Sequence, residues 1–179
     1  GLTKRNTGTL NIMGPAVTTG LQVVAVEGGT LNIGAAGNVT GVEETTVDSG
    51  ATLNVDGALG FTAGADTFTV AGTVTGGGII DMLDGDDQLT LLDGADLSGL
   101  STAIDGGAGA DTLIIDVGTS ATLGGATGFE TLIKQGVGHG IIAGPAGSMF
   151  DSVFVREGVL EVAAGAVVDW YFTHTDADV

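Results

Sequence analysis

No cysteine occurs anywhere in the chain. That excludes a disulfide framework, a thiolate metal site and a cysteine nucleophile. Basic residues are almost as scarce. Lys4, Arg5, Lys134 and Arg156 stand against 22 Asp and Glu, for a net charge of −18. Nucleic-acid phosphates and anionic lipid both call for a basic surface, so neither fits as a partner. Aromatic residues make up 4% of the chain and prolines number 2. A sandwich or a globular enzyme needs more large side chains than this; a thin stack of Val, Leu, Ile and Ala does not. No apolar run approaches the roughly 18 residues of a membrane helix, and no stretch reads as a signal peptide. Nor does any stretch carry a capped helical apolar stripe.

What the chain has instead is glycine, 34 of 179 residues, without a collagen-like triplet period. Its hydrophobic fraction of 43% argues against disorder. A chain of this length suffices for one domain with a sizeable core.

The residues repeat. Gly8-Thr9-Leu10-Asn11-Ile12 returns as Gly29-Thr30-Leu31-Asn32-Ile33 and as Ala51-Thr52-Leu53-Asn54-Val55, the leucines 21 and 22 residues apart. A second form follows: Asp66-Thr67-Phe68-Thr69-Val70, Asp87-Gln88-Leu89-Thr90-Leu91 and Asp111-Thr112-Leu113-Ile114-Ile115, continued by Glu130-Thr131-Leu132. Gly158-Val159-Leu160-Glu161-Val162 echoes the first form. Each copy alternates with period 2, which puts Leu10 and Ile12 on one face of a strand and Asn11 on the other. A single such strand cannot bury its apolar face. Stacked copies can, with Leu10, Leu31 and Leu53 about 4.8 Å apart. Repeats of this period signal a solenoid. The chain is therefore expected to be all-β, a parallel β-helix with one rung per repeat of about 20–24 residues.

Strands are also expected over Leu21–Val26 and Val42–Val47, with corners at Gly28-Gly29, Gly37-Asn38 and Asp48-Ser49-Gly50. Residues 1–179 read as one β-helix segment. Acidic rungs occupy 61–118, where nine aspartates fall between Asp81 and Asp116, and 119–179 holds rungs that cap the stack or, as the family resemblance of these repeats implies, nucleate its folding. Trp170-Tyr171-Phe172 is either an end cap or the start of a further rung. The repeat is under way at both ends, which leads us to expect a larger parent.

The acidic rungs carry the candidate chemistry. Gly106-Gly107-Ala108-Gly109-Ala110-Asp111-Thr112-Leu113-Ile114 fits the glycine-rich nonapeptide of calcium β-rolls, and Asp84-Gly85-Asp86-Asp87-Gln88-Leu89 fits its second half. Calcium wants six to eight oxygens, and stacking brings Asp87 near Asp111 and Asp86 near Asp105. Asp84, Asp86, Asp87, Asp105 and Asp111 are thus candidate calcium ligands. The same residues also suit plain corners, in which an aspartate before a strand caps its own turn. A paired-carboxylate glycosidase is a further alternative. It lacks support in this stretch, which contains no Lys, Arg, His, Trp or Tyr. His139 and His174 are isolated and read as surface loop residues rather than zinc ligands. No serine sits in a Gly-x-Ser-x-Gly elbow. Asn11, Asn32 and Asn54 are placed to form a hydrogen-bonded ladder, or a strip that reads a ligand.

Taken together, Gly29-Thr-Leu-Asn-Ile-Gly34, Gly50-Ala-Thr-Leu-Asn-Val-Asp-Gly57, Asp84-Gly-Asp-Asp-Gln-Leu-Thr-Leu91, Ile104-Asp-Gly-Gly-Ala-Gly-Ala-Asp-Thr-Leu-Ile114, Gly128-Phe-Glu-Thr-Leu-Ile-Lys-Gln-Gly136 and Glu157-Gly-Val-Leu-Glu-Val162 resemble the passenger region of a bacterial monomeric autotransporter of the type V secretion family. The resemblance implies a right-handed parallel β-helix, exported through the outer membrane of a Gram-negative bacterium by a C-terminal β-barrel outside this chain, and displayed at the cell surface. It implies an adhesin or self-association factor, not an enzyme, whose partners are host surface proteins, glycans or a copy of itself, with no cofactor beyond possible calcium. An exported chain also benefits from having no cysteine, since a disulfide obstructs passage of an unfolded polypeptide. One departure concerns Lys134, which falls where alternation asks for an apolar residue and predicts that its rung bulges or ends there.

Overall fold

The computed structural model describes residues 1–14, 17–144 and 148–170. These residues form strands and corners with no helix, and hence no helix long and apolar enough to cross a membrane. The strands stack in parallel as a β-solenoid of about seven turns. Each full turn crosses three faces.

The first face is an eight-stranded sheet of Thr9–Ile12, Thr30–Ile33, Thr52–Val55, Thr73–Gly76, Asp96–Leu100, Ser120–Leu123, His139–Ile142 and Val159–Val162, in that order. The second and third faces belong to a 12-stranded sheet. They are joined because two long strands, Val17–Val26 and Asn38–Val47, run round the corner between them. Gly20 and Gly41 make that bend, at φ +67° and +73°, and their backbones pack so closely that a Cβ on Gly41 would lie 3.0 Å from the Gly20 nitrogen. From the next turn onward the bend opens into loops 62–66, 82–87, 106–111 and 128–130.

Register is what the alternation requires. Leu10 pairs with Leu31, Leu31 with Leu53 and Leu53 with Val74 on the first face. On the third face Phe68, Leu89, Leu113, Leu132 and Val153 form one column. The two repeated phrase forms are therefore not successive rungs. They lie on different faces and share one turn, that of Thr52–Val55 and Thr67–Val70, and Val159–Val162 closes the first-face series that Thr9–Ile12 opens. Leu31, Leu53, Val74, Phe68, Leu89, Leu113 and Leu132 are all fully buried in one continuous apolar interior. Phe61 and Phe68 add the largest rings, with centroids 5.9 Å apart.

Lys134 neither bulges nor ends its rung. It pairs in register with Ile115 on one side and Val155 on the other, and it is fully buried. The long apolar stem lies inside while the ammonium reaches the corner, where it donates to the carbonyls of Gln135, Gly136 and Glu157 at 2.7, 2.6 and 3.2 Å. The aromatic cluster falls largely outside the described residues. The backbone of Trp170 ends the strand Val168–Trp170, which pairs with Ser148–Phe150, but Tyr171 and Phe172 are not described. His174 lies outside the described residues as well.

Candidate functional site

The third-face strands Thr67–Val70, Gln88–Leu91, Thr112–Asp116 and Thr131–Gln135 are each preceded by an acid: Asp66, Asp87, Asp111 and Glu130. At that position the chain turns from the corner loop into the strand. The residue's carbonyl joins the ladder, as where Gln88 donates to Asp66 O and Thr112 to Asp87 O. Its amide is left pointing along the solenoid axis without a ladder partner, and a buried amide needs an acceptor. The next acid supplies one. The Asp66 amide donates to Asp87 Oδ1 at 2.7 Å, the Asp87 amide to Asp111 Oδ1 at 2.8 Å, and the Asp111 amide to Glu130 Oε2 at 2.7 Å. Asp66 itself is held by the amide and hydroxyl of Thr62 at 2.8–2.9 Å.

Asp66, Asp87 and Asp111 are 1%, 1% and 0% exposed. Burial is the largest influence on each and pushes all three carboxyls above the ordinary range; Asp87 rises to about 6. The donated hydrogen bonds oppose that rise, while Asp111, Asp66 and Asp86 add like charge around Asp87. Oδ2 of Asp87 and Oδ2 of Asp111 are buried with no hydrogen-bond partner.

The glycines of this region serve close backbone approach. A Cβ on Gly107 would lie 1.6 Å from Leu83 O, and one on Gly109 would lie 1.6 Å from Gly85 O. The Gly-Gly-x-Gly-x-Asp phrase thus packs one turn's loop directly onto the previous turn's.

Of the five calcium candidates, the structure brings Asp87 and Asp111 together inside the column. The others sit on the outside. Asp84 is exposed beside a bridge to Ala108, Asp86 is exposed and accepts from the Ala110 amide at 3.0 Å, and Asp105 is exposed with Thr127 Oγ1 at 3.4 Å. Among the described residues, no group of three or more His, Asp or Glu is arranged to hold a metal ion. Asp66 and Glu130 complete the column. Their signal in the sequence is an acid at the same place in every second-form phrase.

Two other features stand apart from the column. His139 opens the strand His139–Ile142 rather than lying in a loop, because Gly136-Val137-Gly138 makes the corner before it; its Nε2 lies 2.9 Å from Glu161 Oε2 but off the hydrogen-bond direction. On the first face the expected asparagine ladder is present. Asn32 donates to Asn11 at 3.0 Å, Asn54 to Asn32 at 2.8 Å, and Thr75 extends the ladder by donating to Asn54 at 2.9 Å. A shallow groove of about 460 Å³ lies at the corner between the first and second faces, lined by Ala36, Gly37, Asp56, Gly57, Gly78 and Ile79 among others. Asp56, its one carboxylate, already accepts from Asn54 at 2.9 Å.

No family model, no curated protein and no solved structure matches this chain.

Proposed function

We propose that the chain is a structural and binding segment of a bacterial surface protein, a passenger of the autotransporter type that serves as a stalk or adhesin. The observation that carries this reading is the parallel stacking of strand on strand from Leu2 to Val162, which continues past local register shifts at Gly20, Gly41 and between Asp96 and Gly99. A solenoid of this kind extends turn by turn, keeps its stability in the stack between neighbours, and offers long flat faces. Those faces suit host surface proteins, glycans or another copy of the chain. The surplus of acidic residues keeps exposed strand edges from pairing indiscriminately, since like charge repels along them. Export belongs to a C-terminal β-barrel in the parent protein. The reading assigns no catalytic role and requires no cofactor.

The experiment places this chain between a signal peptide and the translocator barrel of an autotransporter, in a Gram-negative host. The expected result is a surface-displayed, protease-resistant segment together with cell clumping or attachment to host cells. Retention in the periplasm, or display with neither clumping nor attachment, would overturn it.

A further inference from the structure

The outer side of the third face changes character along the solenoid. In its central column Thr46, Thr69 and Thr90 succeed one another in register, and Ile114, Ile133 and Phe154 then take their place. Threonine hydroxyls suit water; two isoleucines and a phenylalanine gain by leaving it. Ile114 and Ile133 are half-buried, and Phe154 is 37% exposed. On one side of this apolar column stand Thr112, Thr131 and Ser152. On the other, Asp116, Gln135 and Arg156 form a ladder over the same three turns. The Gln135 amide donates to Asp116 Oδ2 at 3.0 Å, and the Arg156 guanidinium to Gln135 Oε1 at 3.5 Å. The patch therefore carries one acid and one base, on a chain whose net charge is −18.

Those two charges are placed symmetrically. Thr131–Gln135 is the middle strand, with Asp116 one turn before it and Arg156 one turn after. A two-fold axis laid along the middle strand, in the plane of the face, reverses the order of turns and sets each column against itself. We propose that this patch docks on the same patch of a second copy of the chain, the two solenoids running in opposite directions. Arg156 of each copy then meets Asp116 of the other, Phe154 meets Ile114, and Ile133 and Gln135 meet their own counterparts. Solenoids docked in the same direction would instead lay the charged column over Thr112, Thr131 and Ser152, and neither charge would find its opposite. A cationic partner of another kind would find denser carboxylates around the exposed Asp84, Asp86 and Asp105 than on this face.

The proposal rests on the reading of the chain as a surface adhesin and names its partner. It also sets the strength of the contact. Three strands about 4.8 Å apart, each of about five residues, cover roughly 250 Å², well below the roughly 800 Å² per partner of a stable complex. A single pair is therefore weak and short-lived. The contact holds between surfaces that each display many copies, where separate weak pairs act together.

The test uses beads coated with the full chain. Unsubstituted beads are expected to clump. Arg156→Asp sets acid against acid, and Asp116→Arg sets base against base, so beads bearing either variant alone should clump roughly tenfold less. Asp116→Arg makes the chain less acidic, so its loss of clumping cannot come from net charge. Beads of the two variants mixed together should clump as the unsubstituted beads do, because two bases on one chain then face two acids on the other. Circular dichroism checks that each variant keeps its strands. Should either fail to fold, Gln135→Cys decides: it lies on the proposed axis, and a short bismaleimide should join it into covalent dimers far more readily than Asn32→Cys on the first face. Equal cross-linking of the two overturns the proposal. So does a failure of unsubstituted beads to clump, undiminished clumping of either single variant, or no recovery on mixing. In each of those outcomes attachment to host cells still stands as a test of the adhesin reading, whereas loss of surface display fails that reading without touching the bead result.

Discussion

Lys4 and Lys134 occupy the same interior column of the solenoid, separated in register by Val26, Val47, Val70, Leu91 and Ile115. Their ammonium groups make equivalent bonds. Lys4 donates to the carbonyls of Arg5, Asn6 and, one turn on, Gly28, at 2.8, 2.7 and 2.9 Å. Lys134 donates to Gln135, Gly136 and, one turn on, Glu157. In both corners a glycine leaves room for the nitrogen: a Cβ on Gly29 would lie 2.8 Å from Lys4 Nζ, and one on Gly158 would lie 2.9 Å from Lys134 Nζ. Two of the chain's four basic residues thus join the carbonyls of adjacent turns from within.

Lys134→Met preserves the buried stem and removes the donor. Burial lowers the Lys134 pKa, so the charge carries a desolvation cost, but three carbonyls lose their partner when it goes. The loss is expected to dominate, with destabilisation of about 1–3 kcal/mol by chemical denaturation. A more stable variant would mean that the desolvation cost outweighs the three bonds.

Leu53→Ala tests the first-face column. Leu53 is fully buried between Leu31 and Val74, and the turns above and below are held at strand spacing, so they cannot close the gap. The expected cost is about 3–4 kcal/mol. A cost near that of an exposed substitution would mean that the column is not packed.

Gly107→Ala and Gly50→Ala separate backbone conformation from space. Both residues have positive φ, +99° and +78°. Nothing lies within 4 Å of a Cβ at Gly50, so its cost should be about 1–2 kcal/mol, that of the left-handed conformation alone. At Gly107 the added carbon would meet Leu83 O at 1.6 Å, and the loss should exceed about 4 kcal/mol. Equal losses at the two sites would contradict the loop-on-loop contact.

The stacking was legible because the signal is doubly periodic. Alternation within Thr30–Ile33 sets which side chains face in, and the step from Leu31 to Leu53 sets the turn length. That the two phrase forms lie on two different faces of the solenoid was not legible. Both alternate in the same way, and corner length, which varies from the single-glycine bend at Gly41 to the loop 106–111, decides which strand meets which. The aspartates were misleading for a related reason. Whether a carboxylate turns outward, as in Asp86, or inward to an amide 24 residues away, as in Asp111, depends on the register between turns and not on the glycines beside it. Lys134 defeated the alternation rule because a lysine stem is long enough to be apolar in the interior and charged at the corner.

The central claim is the register itself, and the absence of native cysteine allows it to be measured directly. Thr69 and Thr90 are register partners on the outside of the third face, whereas Asn54 lies on the first face of the solenoid. Mild oxidation of the double variant Thr69→Cys, Thr90→Cys, followed by mass spectrometry, should show a near-complete intramolecular disulfide. The Thr69→Cys, Asn54→Cys variant should show none. Free thiols in the first variant, or a disulfide formed equally in both, would contradict the stacked turns on which the rest of the account depends.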